Sequence, residues 1–451
     1  MRDIILAAVL LPMIYSSSRF IHISVMFWIW TALAAPSAFV FGFLSGIPLN
    51  KIAVTLSGIS LIVDRTKKKM FFDSIFFLHT MLVVQGVVSF IFGITDMTRS
   101  ADLMDRVVKV WLLAVFIHLA NRSREQIHGI VVVFALSAGV HGVLEGFKYI
   151  LTLGSHKVVP SLTIGDNNYL AVTILMIVPF LLYLAKYSTS KYVQAAFFIT
   201  TFMSLIGLVA TASRGGLVSG VLLGSMMLAR SKRKAVGVMT AIAFAGGLLF
   251  LAPASWWERM DTLKSAESDG SFMSRVASWK MNALVALDRP FLGGGYSAME
   301  DPRVFRDYLP QFGMLDFIPT ELPNTILAAH SIYFQVLGDL GIVGFTIFIS
   351  MLASCFYSVR RIMQMCKGQK ELEWATDLAA AMQQMLVVYM VGGAALSASY
   401  FELFYVQISV LSILRRSIME NTSVRGAGRT LAVRGLDSSA VAPTSAWQRP
   451  S

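Results

Sequence analysis

The feature that most constrains this sequence is a series of apolar runs, each about 20 residues long, that recurs along most of its length. A helix of about 20 residues is long enough to cross a hydrocarbon layer of roughly 30 Å. Hydrophobic residues make up 56% of the 451 residues, and charged residues only 14%. A soluble domain could not bury so much apolar surface, so the sequence predicts an all-α integral membrane protein in contact with membrane lipids.

The spans predicted from these runs are residues 48–64, 71–94, 103–120, 127–151, 167–186, 191–213, 215–230, 234–252, 331–355, 379–397 and 401–414. Residues 1–46 add one or two more, interrupted by Pro36 and Gly42. If residues 1–46 cross once, the chain has about 12 transmembrane helices and both termini lie on the same side.

Basic residues predict which side that is. They collect in alternate loops, at residues 64–69, 121–124, 186–191, 230–234, 360–370 and from 415 onward. Such loops are cytoplasmic by the positive-inside rule, so both termini are predicted in the cytoplasm and the long loop 253–330 on the opposite face. The net charge of +12 is thereby assigned to topology, and no nucleic-acid partner is predicted.

The chain divides into four predicted regions. Residues 1–252 form an N-terminal transmembrane bundle, 253–330 the large loop with short helices, 331–417 the C-terminal transmembrane helices, and 418–451 a cytoplasmic tail. Within the loop, residues 273–287 read as an amphipathic helix with Ser274 available as its N-cap. The tail has few large apolar residues and is predicted to be disordered.

Several kinds of chemistry have no sequence signature here. The two cysteines, Cys355 and Cys366, give neither a disulfide framework nor a metal-binding spacing. There is no P-loop, no Cys/His zinc pattern, no nucleophile elbow and no Asp-x-Asp pair in the loops opposite the basic ones. The sequence therefore predicts no metal and no cofactor.

Three polar residues and one polar group lie on the face opposite the basic loops: Arg214, Arg275, His330 and residues 166–168. Each has an ordinary structural reading as an interfacial arginine, a surface arginine packed on Trp279, an interfacial histidine or a helix cap. Together they suit chemistry on a phosphate-activated lipid, because guanidinium groups bind phosphate oxygens and a neutral histidine accepts a proton.

A second polar set, His141, Glu145 and Lys148, is spaced to share one helix face, and we interpret it as an internal ion-pair stripe. His141, Glu145 and Asp339 could instead be the titrating groups of a flippase or proton-coupled transporter. Such proteins commonly contain internal repeats. No repeat is visible in this sequence, and its conspicuous polar residues cluster at one face.

Three motifs carry a resemblance to a known family. They are "SRGG" (213–216), "RVASWKMNALVALDRPFLGGGY" (275–296, an Arg-x-x-x-Trp followed by Pro-x-x-Gly-x-Gly) and "HSIYFQVLGDLGIVG" (330–344). In this order they resemble the O-antigen ligase/polymerase superfamily, and the N-terminal half with "GDNNYLA" (165–171) resembles its branch of O-glycosylation ligases. The resemblance covers about residues 1–415. Relatives often have asparagine where this chain has Ser331.

The resemblance implies a bacterial inner-membrane glycosyltransferase with its active site in the periplasm. An O-antigen ligase transfers polysaccharide from undecaprenyl pyrophosphate to lipid A–core. Because the outer loops have no Asp-x-Asp pair, we expect the transfer to proceed without metal. Because no second carboxylate for a double displacement is evident, we expect a direct displacement that inverts the anomeric carbon. Arg214 and Arg275 match the arginines expected to bind pyrophosphate, and His330 the general base. Possible glycan or acceptor contacts are Trp279, Tyr296, Tyr333, Asp166, Asn167 and Asn168. An O-antigen polymerase or a protein O-glycosylation ligase would use the same donor with another acceptor.

Overall fold

The structure is a computed structural model. It describes residues 2–65, 70–121, 123–158, 165–231, 234–235, 239, 256, 270–315 and 318–438, with side chains described as far as residue 420. The predicted span 234–252 and residues 253–269 of the predicted loop lie almost entirely outside this range, as does the tail beyond 438.

The helices are α1 (Arg2–Arg19), α2 (Ile21–Ala34), α3 (Leu49–Val63), α4 (Ser74–Phe92), α5 (Met97–Ala120), α6 (Arg124–Leu151), α7 (Asn167–Tyr187), α8 (Lys191–Ala210), α9 (Arg214–Arg230), α10 (Gly270–Asp288), α11 (Pro302–Tyr308), α12 (Ile332–Cys366), α13 (Glu373–Gly393) and α14 (Glu402–Ser438). Short 3-10 turns lie at Pro36–Phe39, Ala298–Glu300, Leu309–Leu315 and Lys370–Leu372.

All regular elements in the described ranges are helices, as the all-α prediction requires. Five of these helices, α4, α6, α7, α8 and α12, are long and apolar enough to cross a membrane, and α2 and α3 are shorter apolar helices. The chain is thus consistent with an all-α, multi-pass membrane protein. The total of about 12 spans and the sidedness of the loops stay predictions.

Most predicted spans coincide with a helix to within a few residues, and the differences have local causes. The helix α5 begins at Met97 rather than at 103, because the Asp96 carboxylate accepts a hydrogen bond from Thr98 N at 2.9 Å and caps a polar first turn. The helix α14 continues to Ser438, whereas the sequence predicts a disordered tail from 418. No proline lies between residues 418 and 438, so every residue there keeps the backbone N–H that a helix uses.

The centre of the bundle is α7. Every residue from 170 to 181 is buried, and the helix contacts α6, α8, α9 and α13. A helix that is apolar on all sides is expected in such an interior position. Its N-terminal end is therefore surrounded by the ends of other helices, and the candidate site lies there.

The helix α12 is broken at Gly341, whose φ of 69° and ψ of −171° are not helical. The Pro-x-x-Gly-x-Gly segment after α10 fills this break. Gly294 N donates to Gly338 O at 2.8 Å, and Ile342 N donates to Pro290 O at 2.7 Å. These bonds satisfy backbone groups that the break leaves without helical partners.

The same glycine segment is also attached to the end of α4. Gly294 O accepts hydrogen bonds from Ile94 N at 2.9 Å and from Thr95 N at 3.1 Å. The Gln85 amide donates to Phe291 O at 2.7 Å. The motif that the sequence linked only to a family is thus a backbone junction that fixes α10 against both α4 and α12.

Candidate active site

The first side of the candidate site is built by α10 and the start of α12, which run side by side in the same direction. The predicted helix over 273–287 is confirmed as part of α10, although it begins at Gly270, so Ser274 is inside the helix and is not its cap. The Trp279 ring stacks on Phe334 with centroids 5.4 Å apart and planes 5° apart. Arg275 precedes Trp279 by one helical turn on the same face.

His330 lies immediately before α12 in an unusual backbone conformation. Its φ is 45°, in the left-handed region that non-glycine residues rarely adopt. Its N–H donates to Ser397 Oγ at 2.7 Å, and its carbonyl accepts from Trp279 Nε1 at 3.3 Å. The next residue, Ser331, is the N-cap of α12 and accepts hydrogen bonds from the N–H groups of residues 333 and 334.

The second side of the site is the N-terminus of α7. Asp166 caps this helix, since its Oδ1 accepts from Tyr169 N at 2.8 Å, which confirms the helix-cap reading of this group. Asn167 Nδ2 donates to Thr211 O at 2.7 Å, and Asn168 Oδ1 accepts from Ser213 Oγ at 2.7 Å. The Asp-Asn-Asn group therefore ties α7 to the turn that precedes Arg214.

Arg214 is the first residue of α9, and Ser213 caps that helix by accepting from Gly216 N at 3.0 Å. The two glycines that follow Arg214 do not form the tight turn before α9. Both are helical, and the left-handed residue of the turn is Ala212, with a φ of 45°. Gly216 serves packing instead, because a Cβ there would lie 2.7 Å from the Cβ of Ala171 on α7.

The pKa of His330 depends on charges from both sides of the candidate site. Burial lowers the pKa of His330 below its ordinary value of 6.5, the positive charge of Arg275 lowers it further, and Asp166 opposes both. The imidazole is therefore neutral at pH 7, which is the form that can accept a proton. Arg214 directly follows Ser213, whose hydroxyl donates to Asn168 Oδ1, so its backbone is linked to the N-terminal end of α7.

A third basic residue, which the sequence reading missed, lies beside this group. Arg106 of α5 is 3.6 Å from Glu402 at the start of α14. The charges of Arg106, Glu402 and Asp166 all act on the Tyr169 hydroxyl, and the Tyr169 ring contacts Phe401. The available signal was the polar composition of residues 98–109, which the hydropathy pattern assigned partly to a span.

Three of the predicted sugar contacts, Tyr296, Tyr333 and Trp279, are packed against other side chains or backbone. Tyr296 is completely buried and lies edge-on to Tyr400 at 5.1 Å, so its ring is closed to a glycan and the expectation for it is corrected. Tyr333 is half-buried and its hydroxyl donates to Met390 O at 3.0 Å. Trp279 has one face covered by Phe334. These aromatic residues thus contribute more to packing than to an exposed surface on which a sugar ring could stack.

The second polar set of the sequence has the structural role that its spacing indicated. Glu145 forms an ion pair with Lys148 at 2.5 Å and a hydrogen bond with His156 at 2.5 Å. His141 Nε2 bonds to Leu33 O at 2.9 Å. Asp339 is buried and accepts a hydrogen bond from the Tyr400 hydroxyl at 3.2 Å. These titratable groups are therefore engaged in local contacts within the bundle.

Potential metal ligands are not grouped in the part of the chain that the structure describes. No set of three or more His, Cys, Asp or Glu side chains there could hold a metal ion. Cys355 and Cys366 are both buried free thiols. The chemistry of the described site is that of guanidinium groups, helix N-termini, one carboxylate and one imidazole.

Comparison with known families separates the chain into two matched parts. Residues 1–189 match a family of unknown function (DUF5935), and residues 199–349 match the O-antigen ligase family. A search of curated proteins finds no match. Arg214, Arg275 and His330 all fall in the second part, and the Asp-Asn-Asn group in the first. Residues 199–349 are thus similar to the O-antigen ligase family, and this match supports the resemblance of the three motifs to the O-antigen ligase superfamily.

Proposed function

We propose that this chain is a membrane glycosyltransferase that moves a polysaccharide from undecaprenyl pyrophosphate to a sugar hydroxyl of lipid A–core. The reaction takes place at the periplasmic face of a bacterial inner membrane. The observation that carries the proposal is the packing of α10, the helix of Arg275, against His330 at the start of α12, where Trp279 Nε1 donates to His330 O at 3.3 Å. The coarser assignment, a glycosyl-transferring membrane enzyme, is supported by the matched domain over 199–349.

In the proposed reaction, His330 acts as general base. It takes the proton of the acceptor hydroxyl as that oxygen forms a bond to the anomeric carbon of the donor sugar. The bond from the anomeric carbon to pyrophosphate breaks at the same time, and its electron pair leaves with undecaprenyl pyrophosphate. A single displacement of this kind inverts the anomeric carbon, and it needs only one proton acceptor.

Arg214 and Arg275 bind the pyrophosphate in this proposal. Guanidinium groups form charge-assisted hydrogen bonds to phosphate oxygens, and these bonds strengthen as negative charge develops on the leaving group. The N-termini of α7 and α9 add partial positive charge at the same place. No metal is required for the step, because pyrophosphate is a good leaving group once its charge is compensated.

Arg275 also gives a reason why His330 becomes a stronger base when the donor is bound. In the free protein, the charge of Arg275 helps to lower the pKa of His330. A bound pyrophosphate compensates that charge, so the pKa of His330 rises toward its ordinary value. The base is therefore kept neutral before binding and gains proton affinity when the substrate arrives.

The test is reconstitution of the purified protein with an undecaprenyl-pyrophosphate glycan and lipid A–core, with His330→Ala beside the wild type and His22→Ala as a matched control. We expect product from the wild type and the control only. Full activity in His330→Ala would remove the general-base assignment. Growth of the donor glycan without transfer to lipid A–core would make the protein a polymerase, and the absence of any covalent product would favour transport.

A further inference from the structure

The backbone at His330 is held from both sides by side chains of other elements. A non-glycine residue with a φ of 45° is in a sparsely populated conformation, which persists only where the surroundings impose it. The two peptide groups of His330 have separate partners. Ser397 accepts from its N–H at 2.7 Å, and Trp279 Nε1 donates to its carbonyl at 3.3 Å.

Ser397 belongs to a turn, residues 394–401, that joins α13 to α14 and is itself attached firmly to α12. Ser399 Oγ donates to Ile332 O at 2.9 Å, and Ser399 N donates to Gln335 Oε1 at 3.1 Å. The hydroxyl of Tyr389 donates to Ala398 O at 2.9 Å and so fixes the turn to α13. The turn therefore presents the Ser397 oxygen at a set position in front of the His330 amide.

The left-handed conformation has a consequence for the imidazole. The residue before a helix cap commonly has extended backbone, and a change of φ by more than 100° would redirect the Cα–Cβ bond. The observed conformation sets the direction of this bond in the structure in which Arg275 lowers and Asp166 raises the pKa of His330. If the backbone of His330 were extended, its side chain would leave the backbone in a different direction.

We infer that Ser397 is a positioning residue for His330, which holds the histidine backbone in its left-handed conformation by accepting the His330 N–H. The inference rests on the proposed role of His330 as the base. No sequence pattern marks Ser397, because it lies in a short loop with no charged neighbour and no motif. The Ser397 hydroxyl bonds to the backbone N–H of His330, which any residue except proline would provide. The contact therefore depends on the fold and not on the side chain at position 330.

The experiment compares Ser397→Ala and the isosteric pair Ser397→Thr and Ser397→Val with the wild type. A matched control is Ser225→Ala, which removes a hydroxyl that donates to Val221 O at 2.8 Å on the exposed side of α9. Folding is checked by thermal unfolding in detergent. Two quantities are then measured. The first is the pair of kinetic parameters kcat and KM for glycan transfer. The second is the rate at which diethyl pyrocarbonate modifies His330, followed by mass spectrometry.

We expect Ser397→Ala and Ser397→Val to lower kcat by about 10-fold or more, since misplacement of a catalytic group by about 1 Å can cost about 100-fold. KM for the donor should change less than about twofold, because neither arginine is altered. Ser397→Thr keeps the hydroxyl and should restore most of the activity. The modification rate of His330 should change in the Ala and Val variants and stay at the wild-type value in Ser397→Thr and Ser225→Ala.

Each other result overturns one part of the reasoning. A loss of kcat with an unchanged modification rate would give Ser397 a role apart from His330, and equal loss in the Thr and Val variants would make the effect steric. Wild-type behaviour in every variant would end the inference. If the wild type transfers no glycan while the modification rate still responds to Ser397→Val, the positioning stands and the proposed function fails.

Discussion

The break in α12 leads to a stability prediction that is independent of the function. In Gly341→Ala, the alanine would have to keep a φ of 69° and a ψ of −171°, a region occupied almost only by glycine at a cost of about 1–3 kcal/mol for other residues. Its Cβ would also lie 2.5 Å from Pro290 O and 2.9 Å from Gly293 N. Relief of that overlap requires movement of the glycine segment, and overpacking of this kind costs about 1–3 kcal/mol.

The two effects act on the same junction and sum to about 2–6 kcal/mol, a large fraction of the roughly 5–15 kcal/mol that stabilises a typical protein. The hydrogen bond from Ile342 N to Pro290 O is the contact that we expect to break first. The assay is thermal unfolding of the purified protein in detergent at one fixed scan rate, with Gly341→Ala expected to lower the apparent Tm by about 5–10 °C.

The matched control is Gly224→Ala. Gly224 lies inside α9 with nothing within 4 Å of an added Cβ, so alanine there should be neutral or stabilising by up to about 1 kcal/mol. If Gly341→Ala unfolds at the same temperature as this control, the break is not held by the conformation of Gly341. The account of the Pro-x-x-Gly-x-Gly segment as a backbone junction would then be wrong.

The remaining predictions concern the candidate site. In Arg275→Lys, transfer should fall by at least about 10-fold while the Tm stays near that of the wild type, because an ammonium group cannot reproduce the two-point contact of a guanidinium; wild-type activity would show that only the charge matters. In Arg275→Gln, the pKa of His330 should rise, because a positive charge that lowers it has been removed. Diethyl pyrocarbonate reacts with neutral imidazole, so its pH profile at His330 should move to higher pH in that variant, and a shift to lower pH would contradict the assigned cause. Asp166→Asn should move the same profile to lower pH, because the carboxylate raises the pKa of His330, and asparagine still caps α7. A chelator should leave the transfer rate unchanged, and loss of activity that added divalent metal restores would refute a metal-free step.

The sequence is informative about elements whose structure follows from local pattern. Hydropathy predicts the apolar helices, including the buried α7, because each such helix needs an apolar run of sufficient length. The amphipathic spacing of 273–287 predicts most of α10, and Asp166 acts as the cap that its residue type indicates. These features depend on residues within one or two turns of each other, so one chain is enough to read them.

The features that the sequence does not predict depend on contacts between distant segments. The residue with positive φ before α9 is Ala212 although two glycines follow it, because the packing of Gly216 on Ala171 uses a glycine for space. Tyr296 looks like a sugar-binding aromatic but fills the core beside Tyr400. Ser397 meets His330 across 67 positions of sequence. No periodicity carries that information.

The three motifs of the family resemblance therefore differ in what they do. In "SRGG", Arg214 is a proposed pyrophosphate ligand, while Ser213 caps α9 and Gly216 allows its contact with α7. The glycine segment supplies a junction and no reacting group. In "HS", His330 is the proposed base and Ser331 caps α12. Serine and asparagine are about equally good N-caps, so the serine that stands where relatives often have asparagine keeps the capping role. The difference between this chain and its relatives at Ser331 therefore concerns the cap of α12. Arg214, Arg275 and His330, which are proposed to act on the substrate, are all present.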